Sequence, residues 1–218
     1  MGYSIAVVGG TGPQGKGLAY RFARHGHRVV VGSRTAEKAS AAAEEINARL
    51  AGDPVTGAVN ADASVDADVV VIAVPWDGHD ELVGSLPLAG KTVVSCVNPL
   101  AFDKRGAHGL VIDDGRGSAA ERAQALAPDA KVVGAFHNVS AVGLWGDDEF
   151  LDEDVLCVGD SDEGKEVAME LARAVTGRDG ISAGKLRLAR QLEPLTAVLI
   201  SINRRYKVHS GIRITGLV

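Results

Sequence analysis

The sequence predicts an α/β fold in which a doubly wound, mainly parallel sheet is followed by a small C-terminal helical subdomain. Short apolar runs alternate with helix-like segments along most of the chain. Residues 67–74 are almost continuously apolar, which indicates a strand covered on both faces. In the last part, apolar residues recur at helical spacing instead: Leu188, Leu192, Leu195, Leu199 and Ile202. Pro194 should begin or kink that helix.

The first strand and helix are joined by a glycine-rich turn. After the apolar residues 5–8, Gly10, Gly12 and Gly15 have the spacing G-x-G-x-x-G, and a helix-like segment follows. A pyrophosphate can reach the N–H groups of a helix N-terminus only where side chains do not block it. A glycine turn between any strand and helix has the same composition, but its position after a buried N-terminal strand favours a Rossmann-like dinucleotide site.

The end of the second predicted strand, 28–31, indicates which dinucleotide binds. An NAD enzyme usually has Asp or Glu there to hold the ribose 2′-hydroxyl. This chain has Ser33, Arg34 and Lys38 instead, and these residue types suit a 2′-phosphate. The predicted cofactor is therefore NADP(H). The alternative is that Arg34 and Lys38 form only the solvated face of the next helix.

The remaining elements continue the alternation of strands and helices. Further strands are predicted at 55–59, 91–95, 131–135 and 155–158, and a surface helix at 37–50. Other helices are predicted up to Leu86 with Asp77 as cap, from Ser118 with Glu121 at the capping-box position, and from Ser161 to Thr176. A mobile loop is expected at 102–117. The loops with Pro75 and Pro99 follow strands, where ligands bind in such sheets.

The composition restricts the function classes. With 218 residues, the chain can form one good core with a small addition. No apolar segment is long enough to span a bilayer, and a strand directly after Met1 leaves no room for a signal peptide, so a cytoplasmic protein is expected. Cys96 and Cys157 have no neighbours at metal-ligand spacing, and no metal site is predicted. The net charge of −5 argues against nucleic-acid binding.

Charge is unevenly distributed along the chain. From Lys185 onward there are seven Lys or Arg residues and one acid, so this part carries +6 and the rest −11. A basic segment on an acidic protein can concentrate an anionic small molecule. A solvated helix face with scattered charges explains the pattern equally well.

Five sequence blocks resemble the NADPH-dependent reductases of the deazaflavin coenzyme F420, also called F420H2:NADP oxidoreductases. The blocks are GGTGPQGKGLA (9–19), VVGSRTAEKA (30–39), VPW (74–76), AFHNVSA (135–141) and YKVHSGIRITG (206–216). The first two recur in many NADP enzymes, whereas the last two are discriminating. The resemblance implies an NADP-binding Rossmann domain, 1–160, and a smaller C-terminal part, 161–218, that completes the F420 cleft. It also implies direct hydride transfer between NADP(H) and F420.

The resemblance also implies the residues of the site. The turn residues Thr11, Gly12, Pro13 and Gln14, with Gly10 and Gly15, would contact the pyrophosphate, and Ser33, Arg34 and Lys38 the 2′-phosphate. The two rings would lie among Val74, Pro75, Trp76, Asn98, Pro99, His137 and Ala141. Ser210 would lie near the deazaflavin end. The positive charge of the tail adds Lys207 as a binding residue, and Gly211 could let backbone N–H groups approach an anion. Asn98 and Asn138 are more polar than is usual for the family.

Direct hydride transfer needs no nucleophile and no metal, so positioning should supply most of the catalysis. His137 is a candidate proton relay or charge stabiliser, although a lone His after a strand is more often structural. Two alternatives remain at this stage: an NADP-dependent reductase of an imine or a ferric chelate, and a non-enzymatic NADPH-sensing module. A homodimer is an open expectation.

Overall fold

The computed structural model describes residues 2–52, 54–115 and 117–217. Its strands, in chain order, are β1 (Ser4–Val8), β2 (Arg28–Ser33), β3 (Val55–Val59), β4 (Val69–Ile72), β5 (Thr92–Ser95), β6 (Leu100–Asp103), β7 (Gly106–Gly109), β8 (Lys131–Gly134), β9 (Leu156–Gly159) and β10 (Ile181–Ser182). Its helices are α1 (Pro13–Arg24), α2 (Ala36–Leu50), α3 (Asn60–Val65), α4 (His79–Ser85), α5 (Ala119–Leu126), α6 (Ala141–Leu144), α7 (Asp162–Thr176) and α8 (Ala189–Tyr206).

Eight strands form one sheet in the order β10-β9-β8-β5-β4-β1-β2-β3. The six strands from β3 to β8 in this order are parallel, whereas β9 is antiparallel to β8 and β10 is parallel to β9. The predicted Rossmann-like, mainly parallel sheet with a helical C-terminal region is confirmed. Because the strand order reverses between β1 and β4, the crevice for a ligand lies above their carboxyl ends.

Two apolar layers cover the two faces of the sheet. On one face, Leu18, Phe22, Ile46 and Leu171 of α1, α2 and α7 pack on the strands. On the other face, small residues of α3 and α5 and Val83 of α4 do the same. The central strands have both faces buried, which explains why β4 is a run of β-branched residues.

The capping residues define where several helices begin. Thr35, Ser118 and Ser161 accept hydrogen bonds from backbone N–H groups of their helices, as Ser118 and Ser161 were predicted to do. The prediction for Asp77 is wrong, since α4 begins after Gly78, whose φ of 79° lies in the left-handed region. Glycine reaches that conformation without a steric penalty, so the helix starts one residue later.

The segment predicted as a loop at 102–117 also differs. It contains most of a hairpin in which β6 and β7 pair in antiparallel fashion from Leu100↔Gly109 to Asp103↔Gly106. The Asp103 carboxylate accepts hydrogen bonds from the N–H groups of Arg105 and Gly106, which closes the turn. The local sequence is rich in glycine and charge, which is typical of a loop, so it does not predict this hairpin. Strand β7 of the hairpin packs on α8.

Helix α8 begins at Ala189 and continues through Pro194 to Tyr206. Of the predicted apolar face, Leu192 and Leu199 are buried and Leu188 is exposed. Glu193 on the same helix is also buried, because its carboxylate accepts hydrogen bonds from the N–H groups of Ala119 and Ala120 at 2.8 and 3.0 Å. This contact attaches α8 to the N-terminus of α5.

Candidate dinucleotide site and adjoining cavity

The glycine turn between β1 and α1 is closed by backbone packing. The N–H of Gly10 donates to the carbonyls of Val7 and Gly32 at 3.1 and 3.0 Å. A Cβ added to Gly10 would lie 2.7 Å from the Val7 oxygen, and one added to Gly15 would lie 2.8 Å from the Gly10 Cα. These two glycines are therefore required by the fold itself.

Gly12 is different, because the protein leaves space beside it. A Cβ added there would approach no protein atom closer than the Gly9 oxygen, at 3.7 Å. Gly12 is the N-cap of α1, and within the described part of the chain no side-chain hydrogen bond caps this helix. The N-terminus of α1 thus keeps backbone donors available for an anion, which fits a pyrophosphate.

The cationic residues Arg34 and Lys38 follow β2, whose Gly32 carbonyl accepts from the Gly10 N–H of the glycine turn. Ser33 is buried at the strand end, whereas Arg34 and Lys38 are exposed. Within the described ranges 2–52, 54–115 and 117–217, neither Arg34 nor Lys38 is in an ion pair. Both cations are accessible to a phosphate.

A cavity of about 450 Å³ lies beyond the carboxyl ends of β1, β4, β5 and β8. It brings together nine of the predicted site residues: Gly12, Pro13, Gln14, Val74, Pro75, Asn98, His137, Ala141 and Ser210. Residues of α8, including Thr196, Leu199 and Asn203, form the opposite wall. No Lys or Arg is among the described residues that line it. Its volume lies within the usual range for small-molecule sites.

The other predicted site residues lie outside this cavity. Gly10 and Gly15 are inside the turn, and Ser33, Arg34 and Lys38 lie after β2. Thr11 lines a second hollow of about 310 Å³. Trp76, Pro99, Lys207 and Gly211 do not line the cavity. Trp76 stacks on His79 with ring centroids 5.2 Å apart.

The loop after β8 is held in a strained conformation at the cavity. Phe136 has φ of 61°, which is rare for a bulky residue. The Gln14 side-chain N–H₂ donates to the Phe136 carbonyl at 3.1 Å. The His137 carbonyl accepts from Asn98 Nδ2 and from Thr196 Oγ1, both at 2.9 Å. Three elements therefore fix the backbone of this loop.

The His137 ring lies in an apolar environment. It is 4% exposed, and neither ring nitrogen has a hydrogen-bond partner among the described residues. Burial lowers the pKa of His137 to about 4, so the imidazole is neutral near pH 7. A charged imidazolium is therefore not available at this position, whereas a neutral ring can form part of the cavity wall.

Cys96 also lines the cavity and is buried as a thiol. Its Sγ donates to the Ile72 carbonyl at 3.1 Å, and burial raises the pKa of the thiol to about 12. A thiolate is the reactive form of cysteine, and this environment disfavours it. Among the described residues, no group of His, Cys, Asp or Glu side chains is arranged to bind a metal ion.

Sequence patterns did not predict the contribution of α8. Thr196 donates to the His137 carbonyl and accepts from Asn138 Nδ2 at 3.0 Å. Asn203 accepts from the N–H and the hydroxyl of Ser210, both at 2.7 Å, and so holds the C-terminal segment beside the cavity. The only signal for either residue was a polar side chain among apolar helical positions, which is also typical of a solvated surface.

A buried carboxyl lies under the C-terminal segment. Glu153 is 8% exposed, and the backbone of Gly211 packs directly against its carboxyl group. Burial raises the pKa of Glu153 to about 7, above the ordinary value of 4.5, and a backbone hydrogen bond with Ser140 opposes this only in part. Near neutral pH this group is therefore a mixture of protonated and ionised forms.

We expect the protein to lose stability as the pH rises from about 4.5 to 7. In that window the folded chain retains the Glu153 proton that the unfolded chain releases, so rising pH favours unfolding. Glu153→Gln should reduce this slope, measured as Tm against pH from 5 to 8. The control is Glu166→Gln on the exposed face of α7. Equal slopes in both variants would contradict the assignment.

No helix in the described part of the chain combines the length and apolarity needed to cross a membrane.

The family described as "NADP oxidoreductase coenzyme F420-dependent" matches residues 4–99.

Two curated relatives match along the whole chain. The F420-dependent NADP reductase of Methanothermobacter thermautotrophicus is 41% identical over 224 residues, covering 100% of this chain and 97% of the relative. That of Methanocaldococcus jannaschii is 37% identical over 220 residues, with 98% of each chain covered. A crystal structure from Arthrobacter sp. FB24, provisionally described as an F420-dependent NADP reductase, superimposes with a TM-score of 0.82 and 26% identity, covering 98% of this chain and all of that one. The chain belongs to the F420-dependent NADP reductase family.

Proposed function

We propose that this protein transfers a hydride directly between NADP(H) and coenzyme F420. The observation that carries the proposal is the cavity itself. It joins the open N-terminus of α1 to a pocket between the sheet and α8, and no cationic side chain among the described residues enters it. A nicotinamide ring and a deazaflavin ring are flat and largely apolar, and both fit such a site.

The binding residues follow from this arrangement. The pyrophosphate would lie on the turn of Gly10, Gly12 and Gly15, and the 2′-phosphate on Arg34 and Lys38. The two rings would lie between the loops of Val74, Asn98 and His137 on one side and α8 on the other. We assign NADP binding to residues 1–160 and completion of the F420 cleft to residues 161–218. A cytoplasmic location and a homodimer stay predictions from the sequence.

The protein contributes positioning to this reaction. Hydride transfer needs the reacting carbons about 3–3.5 Å apart and aligned, in a site from which water is excluded. The hydrogen bonds to the carbonyls of Phe136 and His137 keep one wall rigid before the substrates arrive. With the Cys96 thiol protonated and His137 neutral, neither of these two residues would place a charge beside the rings.

Mixing the protein with NADPH and oxidised F420 tests the proposal. Both chromophores are followed by absorbance, and loss of NADPH should match formation of reduced F420 one to one. Binding of NADPH without turnover would favour a sensing module. Oxidation of NADPH with an imine or a ferric chelate, but not with F420, would favour the other reductases.

The C-terminal segment should supply charge for F420, which carries a phosphate and a glutamate chain. Replacing Lys207 and Arg213 together by Gln should weaken F420 binding about two- to fivefold, the range for exposed charges, and leave NADPH affinity unchanged. Arg213 already pairs with Asp152 and Asp154, whereas Lys207 has no ion-pair partner within the described ranges. Most of the loss should therefore come from Lys207.

Titration of each cofactor at low and high salt measures this effect, and Arg213→Gln alone is the matched control. Unchanged F420 affinity of the double variant at both salt concentrations would exclude the segment from the binding site.

A further inference from the structure

Arg21 is a fully buried cation that the reaction itself does not use. It lies on α1, two turns after the N-terminus that we assign to the pyrophosphate, and has 0% exposure. No carboxylate of the described ranges lies within ion-pair distance of it. Burial lowers the pKa of Arg21, but an arginine stays protonated in proteins. A buried charge without a counterion needs another partner.

That partner is the backbone of one short segment, residues 143–149. The guanidinium donates to five of its carbonyls: Leu144 at 2.8 Å, Asp148 at 2.6 Å, Glu149 at 2.8 Å, Gly143 at 2.8 Å and Gly146 at 3.4 Å. All five donors of the guanidinium are therefore used. Two of the acceptors are the Leu144 and Gly143 carbonyls at the C-terminal end of α6, and Gly143 also accepts from the Gly146 N–H at 2.9 Å.

The same segment continues directly from the cavity wall. Ala141 and Val142, the first residues of α6, line both the large cavity and the smaller hollow beside it. A second contact joins α1 to α6, because a Cβ added to Gly17 would lie 2.6 Å from the Leu144 Cβ. Helix α1 thus carries the N-terminus for the pyrophosphate and also holds the wall at Ala141.

We infer that Arg21 is a positioning residue for hydride transfer, which fixes the wall at Ala141 relative to the N-terminus of α1. The inference rests on the proposed function, since this wall borders the space assigned to the two rings. Lysine has one nitrogen with three donors and cannot replace a five-donor fork. With lysine, at least two of the five carbonyls lose their hydrogen bond to residue 21, so fewer contacts hold the wall in place.

The expected result is a split between kcat and affinity. Arg21→Lys should lower kcat about tenfold or more, because a shift of about 1 Å in the reacting groups can cost about a hundredfold. The Kd for NADPH, from quenching of tryptophan fluorescence, should change less than about threefold, since the phosphate contacts are retained. Arg24→Lys is the matched control, because Arg24 is exposed and donates to the Asp148 carbonyl only at 3.3 Å.

Gly17→Ala tests the same contact without a change of charge. Alanine normally favours a helix, yet here it pushes α6 away, so the variant should show the same loss of kcat. It also carries the test if Arg21→Lys does not fold. A lower Tm with kcat within twofold of the wild type, in either folded variant, would overturn the inference. Failure of the wild type to reduce F420 would instead overturn the proposed function. Hydrogen exchange of the backbone amides of 143–149 would then test whether Arg21 holds this segment. Unchanged exchange rates in Arg21→Lys would overturn that contact.

Discussion

Replacing Gly12 by valine is expected to abolish NADPH binding and to leave the fold intact. The backbone of Gly12 has φ of −76° and ψ of 163°, which any residue can adopt, and a Cβ has 3.7 Å to the nearest protein atom. The side chain would therefore project into the space that we assign to the pyrophosphate. Loss of two charge-assisted hydrogen bonds, each worth about 1.5–3 kcal/mol, weakens binding by more than about a hundredfold.

The measurements are the Kd for NADPH and the Tm of the protein without cofactor. The contrasting variant is Gly15→Ala, whose Cβ would lie 2.8 Å from the Gly10 Cα and should lower the Tm. A Gly12→Val protein that binds NADPH with wild-type affinity would remove the pyrophosphate from this turn.

Arg34→Ala should raise the KM for NADPH about 10- to 150-fold and that for NADH by less than twofold. The exposed guanidinium is the forked donor that we assign to the 2′-phosphate, and a charge-assisted contact contributes about 1.5–3 kcal/mol. NADH lacks this phosphate and therefore cannot lose the contact. Steady-state kinetics with each nucleotide at saturating F420 measure the difference.

Arg28→Ala is the control for a general effect of charge. Arg28 is the first residue of β2, whereas Arg34 follows the last one. The Arg28 side chain donates to the Ser4 hydroxyl at that opposite end of the strand. It should leave the KM for both nucleotides unchanged. Equal losses with NADPH and NADH in Arg34→Ala would show that Arg34 supports the fold rather than the phosphate.

Local patterns in the sequence predicted the sheet, two of the helix caps and the family. The β-branched run of β4 predicted a strand buried on both faces, because it contains only apolar side chains and no polar residue that would face water. Ser118 and Ser161 predicted helix starts because their hydroxyls satisfy N–H groups only a few residues away. The family followed from motifs along nearly the whole chain.

The hairpin of β6 and β7 was missed for a physical reason. Its strands are four residues long, and β7 packs on α8, which lies far along the chain. Nothing in the four-residue windows themselves distinguishes them from a loop.

The sequence by itself determined the fold class, the glycine turn and the preference for a 2′-phosphate, since each depends on residues close together in the chain. The long-range contacts that hold the walls of the cavity became visible only in the tertiary structure. Thr196 reaches the His137 carbonyl across 59 residues, and Arg21 reaches residues 143–149 across more than 120. A buried arginine within an amphipathic helix has the same local pattern as an exposed one. Its role depends on which distant carbonyls the fold brings within 3 Å, and no local propensity encodes that distance.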